Sequence, residues 1–86
     1  MFDNVKAFLK APKLPDEMGD EEFRAVVREA SVFFAAGWYR RKHPHASDAE
    51  TLDFAQQNRK HFTDGAIDFV IFVSETRARR GQVPGN

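Results

Sequence analysis

The sequence predicts an all-α protein: an antiparallel hairpin of two long helices with a short N-terminal helix packed across it, a three-helix arrangement. Apolar residues recur every three or four positions along most of the chain, which is the spacing of one helix face. Proline and glycine interrupt this pattern at a few places and divide it into segments 2–11, 20–43 and 47–80. Residues 81–86 are expected to form a loose tail, and a length of 86 residues suits a single domain.

The first segment predicts a short amphipathic helix over residues 2–11. We expect Asp3 to cap its start, and Pro12 ends it because proline is not tolerated inside a helix. The apolar residues that form its inner face are Phe2, Val5, Phe8 and Leu9.

The second segment carries the strongest helical pattern. Residues 20–22 are acidic and residues 40–42 are basic, which is the charge distribution that a helix dipole favours, and Pro44 ends the helix. Gly37 lies on the apolar stripe and is expected to let the two long helices approach closely. The stripe consists of Phe23, Val26, Val27, Ala30, Phe33, Phe34, Gly37 and Trp38.

The third segment begins with a capping-box pattern, in which Ser47 is followed three residues later by Glu50. Its stripe predicts one long helix, bent near Gly65. Two shorter helices are the alternative, and a strand over residues 69–73 is a weaker third interpretation. The stripe alternates steps of three and four residues, and only Arg59 is polar among Leu52, Ala55, Arg59, Phe62, Ala66, Phe69 and Val73.

The apolar residues near the end of the third segment exceed what a helical hairpin is expected to cover. A helix over residues 48–80 would be ~50 Å long, against ~33 Å for residues 21–42, so the two ends cannot match. Residues 67–73 would be apolar nearly all the way round the helix and would need a second contact surface. This predicts a protein partner or a second copy of the chain, forming a homodimer, at Ile67, Val70, Ile71 and Phe72.

Composition restricts the possible functions. The 13 basic and 13 acidic residues cancel, which argues against strong nonspecific attraction to nucleic acid or anionic lipid. There is no cysteine, so thiol catalysis and disulfides are excluded. The N-terminus does not resemble a signal peptide and no apolar run is long enough to span a membrane, so we expect a cytoplasmic protein.

A basic cluster offers an alternative function. Arg40, Arg41 and Lys42 follow Trp38 and Tyr39, and such a combination can neutralise phosphates and stack on bases. The simpler interpretation is that cations collect at the end of a helix, where the dipole favours them.

Metal binding and catalysis have little support in the sequence. His43, His45 and His61 could ligate a metal, but their spacing on a turn and far along the next helix is poor. Asp64 and Asp68 lie one turn apart, yet no nucleophile motif or phosphate loop accompanies them. We therefore expect no enzyme activity, no cofactor and no metal.

The sequence favours a non-enzymatic interaction protein that acts as an adaptor, a regulator or an inhibitor and that self-associates. The alternative is a small nucleic-acid-binding protein that uses the basic cluster.

Overall fold

In a computed structural model of the chain, the residues described are 2–78, of which Ala78 is described by its backbone alone. They contain four α-helices and no strand, so the predicted all-α class is confirmed. The predicted loose tail, 81–86, lies outside the described residues. The helices are α1 (Asp3–Lys10), α2 (Asp20–Lys42), α3 (Asp48–Asn58) and α4 (Thr63–Val73). Shorter helical turns occupy Pro15–Glu17, Arg59–Phe62 and Ser74–Ala78.

Helix α2 is the central helix of the fold and contacts the other three α-helices. Its C-terminal half packs against α3 and its N-terminal half packs against α4, which gives the predicted antiparallel hairpin. Helix α1 packs on α2 beside α4. The predicted three-helix arrangement is therefore confirmed, with α3 and α4 together forming the second arm of the hairpin.

The second arm changes its helical geometry at Arg59–Phe62, which adopts the tighter 3-10 form. The Asn58 side chain donates a hydrogen bond from Nδ2 to the carbonyl oxygen of Phe54 at 2.9 Å. The Phe54 carbonyl thus has a side-chain donor at the point where α3 ends. The irregularity thus lies just before Gly65, where the bend is predicted, and Gly65 itself sits in the first turn of α4.

The centre of the hairpin is built from small side chains. Ala35, Ala55 and Ala66 are fully buried where α2 meets the second arm. Gly37, predicted to allow close approach of the helices, is exposed, and a Cβ atom there would meet nothing within 4 Å. That prediction is wrong, because alanines supply the narrow contacts.

Helix α1 is capped from a distance. No side chain caps its N-terminus locally, and Asp3, the predicted cap, is instead the first helical residue. Glu29 of α2 takes this role: its carboxylate accepts hydrogen bonds from Asn4 Nδ2 at 2.6 Å and from the Val5 amide at 3.0 Å. The carboxylate satisfies an amide that the helix leaves free, and its charge favours the positive end of the helix dipole.

Candidate functional site

The predicted partner residues of α4 lie in different environments. Val70 is fully buried in the chain's own core, so its assignment to a partner surface is wrong. Ile67 and Ile71 are half-buried, and Ile67 packs against the core. Phe72 is 65% exposed and is the member of the set most accessible to a partner.

The error at Val70 has a geometric cause. Relative to Ala66, both Phe69 and Val70 lie within roughly 60° on a regular helix, so spacing alone cannot choose between them. The structure places Val70 at the centre of the buried face, with Ala66 and Val73, and leaves Phe69 half-buried. The smaller side chain fits between closely packed helices, and the larger ring lies at their margin.

On α2 as well, aromatic rings of the predicted apolar stripe lie at the surface. Phe33 is 61% exposed and Phe34 is half-buried. The rings form a chain of edge-to-face contacts across three helices: Phe2 to Phe33 at 6.0 Å, Phe33 to Phe34 at 6.3 Å, and Phe34 to Phe69 at 5.3 Å between centroids. A signal was present in the sequence, because adjacent residues point ~100° apart on a helix and cannot both face one partner.

An apolar slot of about 160 Å³ lies among these rings, between α1, α2 and α4. Its exposed lining is entirely apolar. Phe72 follows Phe69 by three residues and is therefore its neighbour on the surface of α4. The aromatic surface is defined as Phe2, Phe33, Phe34, Phe69 and Phe72.

The basic cluster lies at the turn of the hairpin. Arg40 donates from its guanidinium to Asp48 Oδ1 at 2.7 Å, and Lys42 Nζ lies 6.0 Å from the centroid of the Trp38 ring. Trp38 stacks on Phe54 at 5.7 Å and remains 39% exposed. Lys42 and Trp38 lie one turn apart on α2, Arg40 contacts α3, and Arg41 is exposed.

The histidines considered for metal binding do not form a metal-binding group in the described part of the chain. Within residues 2–78, no group of three or more His, Cys, Asp or Glu side chains is arranged to hold a metal ion. His43 packs on the ring of Tyr39 at 4.5 Å, and His61 is exposed. Asp64 and Asp68 are both exposed on α4.

None of the described helices combines the length and the apolar character needed to cross a lipid bilayer. Comparison of the chain with protein-family models, curated proteins and solved structures found no match.

Proposed function

We propose that this protein is a cytoplasmic, non-enzymatic interaction module, an adaptor, a regulator or an inhibitor, that self-associates through its aromatic surface. The observation that supports this is the exposure of two large apolar side chains, 61% for Phe33 and 65% for Phe72. Removing a phenylalanine side chain from water contributes on the order of 1.5–3 kcal/mol. The aromatic surface therefore offers a substantial driving force for association.

A second copy of the chain is the occupant that we propose for this surface. The projecting ring of Phe72 and the apolar slot beside Phe69 lie on the same molecule. A two-fold axis would place the ring of each copy against the slot of the other, as an isologous interface requires. The formal charge of zero imposes no overall repulsion between two copies.

The area involved is adequate for a core of such an interface. A phenylalanine buries about 150–250 Å² when fully covered, so Phe33 and Phe72 together leave roughly 250 Å² open. A stable interface buries about 800 Å² on each partner. The two rings would supply about a third of that, and the rest would come from the surrounding rim.

Sedimentation equilibrium from micromolar to millimolar concentration tests the proposal. We expect the unaltered protein to form a dimer, and we expect F33S and F72S each to shift the equilibrium towards monomer. F72L is the matched control, because leucine keeps an apolar side chain and should largely preserve the dimer. A protein that remains monomeric at millimolar concentration, or a dimer that F33S and F72S leave unchanged, would contradict self-association here.

The alternative is nucleic-acid binding by Arg40, Arg41 and Lys42. The observation that favours it is the half-exposed Trp38 ring beside Lys42, which resembles a stacking platform flanked by a cation. Binding of this kind weakens steeply as salt increases, because counterions are released from the phosphates. Fluorescence anisotropy with labelled single-stranded oligonucleotides tests it, and absence of binding at low salt removes the alternative.

A further inference from the structure

A second groove, of about 330 Å³, lies between α2 and the start of α4, and three arginines line it. Arg24 and Arg28 come from α2, one helical turn apart, and Arg59 comes from the 3-10 turn opposite. Arg59 is the residue that breaks the apolar stripe of the second arm, and it is half-buried. We call this groove the arginine cleft, defined by Arg24, Arg28 and Arg59.

The three cations of the arginine cleft are not neutralised by the described part of the chain. The ion pairs in the described part of the chain join Lys13 to Glu22 and Arg40 to Asp48, and neither pair lies in the cleft. Like charges that line one groove repel one another, although water screens part of this repulsion because Arg24 and Arg28 are exposed. An anion bound among them would relieve that repulsion.

One carboxylate beside the cleft, that of Glu29, already accepts hydrogen bonds from another helix. Glu29 lines the adjoining groove together with Arg28 and Arg59. Its two oxygens accept hydrogen bonds from Asn4 and from the Val5 amide, so it serves α1 and does not pair with the arginines.

The hydroxyl groups of the cleft are also occupied as donors. Ser31 donates to the carbonyl oxygen of Val27 at 2.8 Å, and Thr63 donates to that of Arg59 at 3.4 Å. The free donors are therefore the guanidinium groups. A planar guanidinium binds the oxygens of carboxylate or phosphate in pairs, which favours an oxyanion over a neutral ligand.

We propose that the arginine cleft binds the phosphate group of a small organic phosphate ester. A phosphate dianion matches a site with three cations better than a single carboxylate does. Apolar side chains, Phe23, Val27 and Ile67, line the same groove and offer contact to the organic part of the ligand. A volume of about 330 Å³ falls at the lower end of the range for small-molecule sites.

Isothermal titration with phenyl phosphate, at ionic strength held constant with sodium chloride, tests the proposal. We expect saturable binding to the unaltered protein, and weaker binding of inorganic phosphate because it lacks the apolar contacts. R28Q and R59Q should each raise the dissociation constant at least about tenfold, since each removes a charge-assisted hydrogen-bond donor. R41Q is the matched control: it removes the same charge from an exposed arginine of the basic cluster, and binding should be unchanged.

Circular dichroism checks that each variant is folded, and if R59Q does not fold, the double variant R24Q/R28Q decides, because both of its positions are exposed. Absence of saturable binding would overturn the proposal. So would an R41Q variant that loses as much affinity as R28Q, because the effect would then be one of general charge. Equal affinity for phenyl phosphate and inorganic phosphate would overturn the assignment of an organic ester.

Discussion

Glu29 connects two helices through a single buried carboxylate. It is 9% exposed, and it holds both the side chain of Asn4 and the backbone of Val5 at the start of α1. Helix α1 has only eight residues, too few to be stable alone in water. Its position therefore depends on this cap and on the apolar contacts of Val5 and Phe8 with the core.

We predict that E29A lowers the free energy of unfolding by about 1–3 kcal/mol, because the Val5 amide and the Asn4 side chain lose their acceptor. E29Q should cost less, since the amide oxygen still accepts a hydrogen bond. Urea denaturation followed by circular dichroism measures both. Equal midpoints for E29A and the unaltered protein would show that the cap contributes nothing.

The distance along the sequence explains why the capping role of Glu29 could not be predicted. Glu29 lies on the next helix, 25 positions from Asn4 and 24 positions from Val5 along the sequence. No local sequence pattern marks residues that are so far apart. The capping box of α3, by contrast, is local and was predicted correctly: Ser47 Oγ accepts from the Glu50 amide at 3.1 Å. A cap formed within one helical turn can therefore be predicted from the sequence, and a cap supplied by another helix cannot.

At the scale of the helix, the two glycines of the hairpin are the clearest source of avoidable instability. Gly37 lies inside α2 and Gly65 inside α4, both are exposed, and a Cβ at either would meet nothing within 4 Å. Glycine inside a helix costs about 0.5–1 kcal/mol relative to alanine, because the unfolded chain has more freedom to lose.

G37A and G65A should therefore each raise the free energy of unfolding by about 0.5–1 kcal/mol. Gly19 supplies the control: a Cβ there is equally unobstructed, but Gly19 is the N-cap of α2, where alanine is disfavoured. Thermal denaturation should rank G37A and G65A above the unaltered protein and G19A at or below it. A destabilised G65A would indicate that α4 needs flexibility at its first turn.

Helix periodicity predicted where the helices lie, and side-chain size decided which residues they bury. The spacing in α2 placed Phe33, Phe34 and Trp38 on one apolar stripe, yet Phe33 and Trp38 are exposed and Phe34 is half-buried. The residues that are buried there include Val26 and Ala35, which are smaller. A narrow space between helices admits small side chains and displaces rings to its margins, and periodicity carries no information about that width.

For the molecule as a whole, less apolar surface is left exposed than a hairpin of two helices would leave, and only part of it lies on α4. Helix α1 and Met18 of the connecting segment close much of the core that α4 would otherwise leave open. Among the described residues, the large apolar side chains that remain exposed are Phe33, Phe72 and, to a smaller extent, Trp38. Of the partner residues predicted on α4, Phe72 is the one that belongs to the aromatic surface.

If two copies bury this aromatic surface, stability must depend on protein concentration. Association with the folded state alone stabilises it by mass action, so each tenfold increase in concentration adds about 1.4 kcal/mol per mole of dimer. We expect the melting temperature of the unaltered protein to rise by several degrees per decade of concentration. The double variant F33S/F72S should melt at a temperature independent of concentration, because its copies no longer associate.

Differential scanning calorimetry at three concentrations, each a decade apart, separates this linkage from a change in the fold. F72L again serves as the control, since an apolar residue at that position should keep the dependence on concentration. Both substituted side chains of F33S/F72S are more than half exposed, so the monomer should lose little packing when they are replaced. A melting temperature that is constant for the unaltered protein would contradict self-association, because a folded dimer cannot unfold into two chains without that dependence.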